Sequence, residues 1–145
     1  MRFLGHPIHP MLVHFPIALW TVAAGAYVAS AAGVNEPVAM IAKLANIGGL
    51  IMAMVAMFAG MLELRSIDSK SEAMRIATWH MMIMATVWLC FLAALMLSIL
   101  SGIDHSRAQV AAAACAVAGF LLMGVGGWYG GRLVYEFGVA VKDRT

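Results

Sequence analysis

The sequence predicts an all-α membrane protein, four transmembrane helices in an up-down-up-down bundle with both termini cytoplasmic. Three observations carry that expectation. The 145 residues are 63% hydrophobic and 11% charged, where a soluble domain runs at about 25% charged. The apolar residues fall into four unbroken runs, 11–32, 38–62, 76–101 and 108–131, each at or above the ~20 residues that cross a bilayer as helix. The basic residues are segregated: Arg2, Arg65, Lys70, Arg75, Arg132, Lys142 and Arg144 share one face, against Lys43 and Arg107 on the other. That bias assigns the first face, called the near face below, to the cytoplasm.

Inside hydrocarbon only helices or closed barrels satisfy their own backbone groups. The runs are continuous rather than alternating, so helices are expected, and the short polar breaks between them give antiparallel neighbours. The whole chain, 1–145, reads as one integral-membrane domain. A basic excess beside the membrane is what orientation requires, so no nucleic-acid partner is implied.

The first run is expected to start near Pro10 and to kink or restart at Pro16, whose missing N–H frees the carbonyl one turn back. It is read as a transmembrane helix rather than a removable leader, although Ala29-Ser30-Ala31 resembles a cleavage site. Residues before Pro10 are expected to be extended, because a residue preceding proline avoids the helical region. Pro37 suits the first position of the second helix. In the loop 63–75, Ser71 or Ser69 is the expected N-cap of the third helix, with Glu72 in its first turn. Cys90 and Cys115 lie within spans without CxxC spacing and read as small apolar residues.

The chemistry is concentrated in histidines. His6, His9 and His14 open the chain, and His80 opens the third helix; His105 falls in the far-face loop. His14 and His80 each lie about one turn inside the bundle from the near face, so they sit at matched depth. Imidazoles in a bilayer are costly and usually functional.

Two functional readings and one structural reading follow. In the first, His14 and His80 are the axial ligands of a non-covalent b-type haem, with His6 and His9 available for a second haem. Ala18, Thr21 and Gly25 with Gly124, Gly127 and Gly131 would line its slot, and Arg75 and Arg132 would meet the propionates. Trp79, Trp128 and Tyr135 would anchor the interface or touch the ring. In the second, the histidines hold a bare metal ion. Thirteen methionines, among them Met54, Met57, Met61, Met81, Met82 and Met84, suggest copper, although a methionine stripe more often fills core gaps. Glu63 and Glu136 would suit iron or zinc. In the third, the histidines only stitch the bundle together. Lys43 is expected to snorkel, and Asn46 to hydrogen-bond a neighbouring helix. The overlapping pairs Gly126/Gly130 and Gly127/Gly131 allow close helix packing, including with a second copy of the chain.

GHPIHPMLVHFPIALW at the start, a single histidine opening the third helix, and GGWYGGRLVYEFGVAV at the end resemble the bacterial membrane family catalogued as domain of unknown function 2231. The resemblance spans the whole chain and implies a four-helix, multi-pass inner-membrane protein. Some members are joined to Rieske-type iron–sulfur domains, which implies electron transfer with a quinone or with a soluble or membrane partner. His6, His9, His14, His80, Gly130, Gly131 and Tyr135 match family positions. Two departures stand out: Ala26-Tyr27 lies near where an acidic residue is frequent, and Phe137 stands where a histidine is common. The expectation is a small b-type cytochrome-like protein.

Overall fold

The computed structural model describes residues 2–3, 6–34, 36–99, 105–139 and 141, without the side chains of 2–3, 6–7 and 105. Two short extended pieces, β1 (Arg2–Phe3) and β2 (His6–Pro7), pair antiparallel at the start. The rest is helical: α1 (Ile8–Leu12), α2 (His14–Ala31), α3 (Glu36–Leu64), α4 (Glu72–Ile99) and α5 (His105–Tyr135). Four spans are long and apolar enough to cross a membrane, with α1 and α2 together forming the first. The boundaries exceed the expected runs mainly at polar ends, where α3 begins at Glu36 and α5 continues to Tyr135.

The first span starts earlier than expected. His9 is helical although it precedes a proline, because Pro10 is the third residue of α1, where a helix has no intrahelical use for an N–H. Pro16 is likewise the third residue of α2. Its missing N–H interrupts the ladder, but Val13 N donates to His9 O at 3.1 Å and Ile17 N to Val13 O at 3.2 Å. The hitch at Val13 is therefore a local restart within one span. At the other loop, Ser71 Oγ accepts from Met74 N at 3.2 Å, the expected N-cap of α4.

α4 lies along α5 and α2 along α3; α2 also meets α5, while α3 and α4 touch over a shorter stretch. The helices thus close in the order α2–α3–α4–α5. Their seams are lined by small residues, among them Ala23, Ala42, Ala53, Ala94, Ala112 and Ala116, all essentially buried. Lipid tails are as apolar as leucine, so burying large aliphatic groups gains little between helices, and close backbone approach holds the bundle instead. Many larger apolar side chains point outward, although Trp20, Val87 and Phe91 are fully buried. The methionines divide: Met54, Met61 and Met82 are more than half exposed, while Met57, Met81 and Met84 are half-buried, Met84 against the core.

Candidate histidine site

The site forms at the end of the bundle that carries α1 and the α3–α4 loop. His80, two turns into α4, donates Nδ1–H to the carbonyl of Gly126 on α5 at 2.9 Å. His9, on α1, donates Nδ1–H to the carbonyl of Ala56 on α3 at 2.7 Å. A carbonyl can only accept, so in both rings Nδ1 carries a proton, and in the neutral imidazole Nε2 then keeps its lone pair. The two ring centroids lie 6.4 Å apart with planes at 85°.

Both histidines use the same device. A helical carbonyl already accepts from the N–H four residues on, and the side chain of that fourth residue screens its second lone pair. Glycine removes the screen. Gly130 stands four residues after Gly126, and Gly60 four after Ala56. A Cβ at Gly130 would meet His80 Cε1 at 3.2 Å, and one at Gly60 would meet His9 Nδ1 at 3.1 Å. Each imidazole thus lies flat in the notch of a small-xxx-Gly pair on a neighbouring helix. Gly126 is packed as well, since a Cβ there would come within 2.6 Å of Met84 Sδ.

The structure places the other expected residues apart from this pair. His14 is exposed. It follows His9 by five residues, about 140° around a helix, so the two cannot share a direction, and His9 rather than His14 meets His80. His6 lies in β2, and its side chain is outside the described residues. Gly127 is exposed and, like Gly124, would place a Cβ in open space, while Gly131 has only Tyr135 nearby. The inner glycines of the two overlapping pairs, 126 and 130, face His80, and the outer ones do not. Tyr135 is 90% exposed. Arg75 is paired with Glu72 at 2.9 Å. Arg132 makes a two-pronged contact with Glu136, its closest approach 2.7 Å, and lies 5.2 Å from the Trp128 ring. Both arginines are at the histidine end, each already partnered.

Among the described residues, no group of three or more His, Cys, Asp and Glu stands close enough to hold a metal ion. Glu63 is one turn beyond Gly60 on α3, and its Oε1 is buried without a hydrogen-bond partner. Sequence reasoning missed His9 as the partner and Gly60 as its seat. The available signal was the spacing Ala56-xxx-Gly60, which repeats Gly126-xxx-Gly130 on a second helix.

The family described as predicted membrane protein (DUF2231) matches residues 5–143. The chain belongs to this family. No curated protein and no solved structure matches it. Membership and the four spans make it a multi-pass membrane protein.

Proposed function

We propose that this family member is a small b-type cytochrome-like electron carrier that holds one haem between His9 and His80. The observation that carries the reading is the imidazole pair itself: two rings 6.4 Å apart, each with Nδ1–H tied to a helix carbonyl. His9 and His80 would hold the haem iron through Nε2, an imidazole donor set that haem iron takes. Bound haem would supply a one-electron couple.

The chain's own residues do the rest. The Ala56 and Gly126 carbonyls fix both rings in the Nε2-ligating tautomer and make them more basic. Gly60 and Gly130 let the rings lie against the backbone, which limits their rotation. Arg75 and Arg132 stand at the same end and would meet the propionates. On the positive-inside argument this end faces the cytoplasm of a bacterial inner membrane, where a quinol or a soluble protein would donate the electron. His6 and His14 remain available for a second haem or for proton handling.

A second reading, a copper ion, is favoured by Met84, whose thioether lies against Gly126 one turn beyond His80, since soft sulfur with imidazole suits Cu(I). Purification from haem-sufficient cells separates the readings. The haem reading requires a Soret band and a pyridine haemochrome that His9→Ala and His80→Ala abolish and His14→Ala retains. Copper by elemental analysis without a Soret band supports the second reading. A colourless, metal-free protein overturns both and leaves the histidines as structural bonds.

A further inference from the structure

The most deeply buried polar groups lie towards the other end of the bundle. Asn46 is 0% exposed, and its Nδ2 donates to Phe91 O at 2.9 Å and to Tyr27 Oη at 3.2 Å. Because Phe91 O can only accept, the amide orientation is fixed and Oδ1 points elsewhere. That Oδ1 has no hydrogen-bond partner. Trp20, 1% exposed, stacks on the Phe91 ring at 4.6 Å and 3°, and its Nε1–H has no partner either.

One orphan is purely an acceptor and the other purely a donor. Both are organised around Phe91, one through its ring and the other through its carbonyl. They also share one turn of α3, because the indole lies on Gly49, three residues after Asn46: a Cβ there would fall 2.6 Å from Trp20 Nε1.

We propose that a bound water bridges Trp20 Nε1–H and Asn46 Oδ1, an internal hydration site within the membrane span. Water is the smallest molecule that accepts from an N–H and donates to a carbonyl oxygen at once. The indole is stacked on the Phe91 ring and lies close against α3 at Gly49, which leaves the small ligand favoured over a larger one. Buried waters characteristically answer otherwise unsatisfied polar groups in this way, and in a bilayer the bulk solvent cannot do so. The site extends a hydrogen-bonded chain that already runs from Ser98 Oγ through Tyr27 Oη, 3.4 Å away, to Asn46. The chain would then reach from the far end of α4 to the middle of the bundle.

The test is water-to-indole cross-relaxation on full-length protein in lipid nanodiscs, with ¹⁵N-labelled tryptophan. Trp20→Phe assigns one of the four indole signals, and Trp88, whose Nε1 donates to Leu50 O at 3.2 Å, serves as the internal dry control. The expected result is a water cross-peak at the Trp20 indole with the sign of a long-lived bound molecule, and none at Trp88. In Asn46→Leu the Trp20 cross-peak should be lost. Absence of the cross-peak in the wild-type protein overturns the proposal without recourse to any variant. Its persistence at full intensity in Asn46→Leu also overturns it, because the water would then not be shared with Asn46.

Discussion

The two ends of this bundle handle buried polarity in opposite ways. At the asparagine end, polar groups stitch helices together: Asn46 ties α3 to both Tyr27 on α2 and Phe91 on α4, Tyr27 continues to Ser98, and an amide oxygen and an indole N–H are left over. At the histidine end, each ring spends only one nitrogen. His9 and His80 anchor Nδ1 on a helix carbonyl, and Nε2 is the nitrogen left over. The same low dielectric acts on both ends. What differs is the kind of valence left over: at one end an acceptor and a donor that a water can answer, at the other two imidazole nitrogens.

Glycine substitution breaks that contrast most sharply. At the asparagine end Gly49 supports the stack, and a Cβ there would sit 2.5 Å from Trp20 Cδ1. The indole is pinned against Phe91 and cannot withdraw. Overpacking of this kind costs about 1–3 kcal/mol and occasionally more, so Gly49→Val should lie at the upper end, read as loss of folded protein in an SDS or thermal unfolding series. On the haem reading, the same change at the histidine end should lower haem retention before it unfolds the bundle. Gly60→Val and Gly130→Val would push on His9 and His80 at 3.1 and 3.2 Å, disturbing ring orientation and the carbonyl bond together. Losing such supporting contacts costs on the order of 10–100-fold in metal affinity, measured as haem or metal retained per protein. Gly127→Val, whose Cβ meets nothing within 4 Å, should change neither quantity. Equal loss in Gly127→Val and Gly130→Val would remove the distinction between the inner and outer glycine pairs.

How much of this was legible in the sequence follows the same division. Span number, loop positions, the Ser71 cap and the interhelical role of Asn46 were all readable, because bilayer physics writes them as long apolar runs with polar punctuation. At the histidine end the expectation paired His14 with His80, whereas the structure brings His9 to His80. Depth matching selected His14, but depth ignores azimuth, and five residues turn His14 about 140° away from His9. His14 therefore turns outward while His9 turns to His80. The glycines misled for a related reason: Gly126/Gly130 and Gly127/Gly131 are indistinguishable as spacings, and only the packing of α4 on α5 decides which pair faces inward. The methionines divided, Met84 packing on the core while Met54, Met61 and Met82 face outward. In lipid the outside is apolar too.

The smallest expected effect concerns Arg132, and it asks whether the histidine end has been assembled around a ligand with acidic groups. Arg132 holds Glu136 by a two-pronged hydrogen bond, and that bond keeps the Glu136 carboxyl below the usual carboxylate range. A depressed carboxylate contributes stability above its unfolded pKa and loses it as pH falls through the folded value. Here the pair faces water, so the contribution to folding is slight. The informative quantity is the titration itself. In cofactor-free protein, Arg132→Gln should return Glu136 towards its ordinary value, followed by ¹³C-carboxyl NMR. If Arg132 also serves a propionate, loading haem should raise the Glu136 titration in the wild-type protein as well, because the guanidinium then divides its hydrogen bonds. Arg132→Gln would weaken haem retention by about fivefold or less, the modest effect of an exposed, solvent-screened ion pair. A Glu136 titration that does not move on loading would confine Arg132 to its place between Glu136 and Trp128, leaving the imidazole pair as the whole of the binding device.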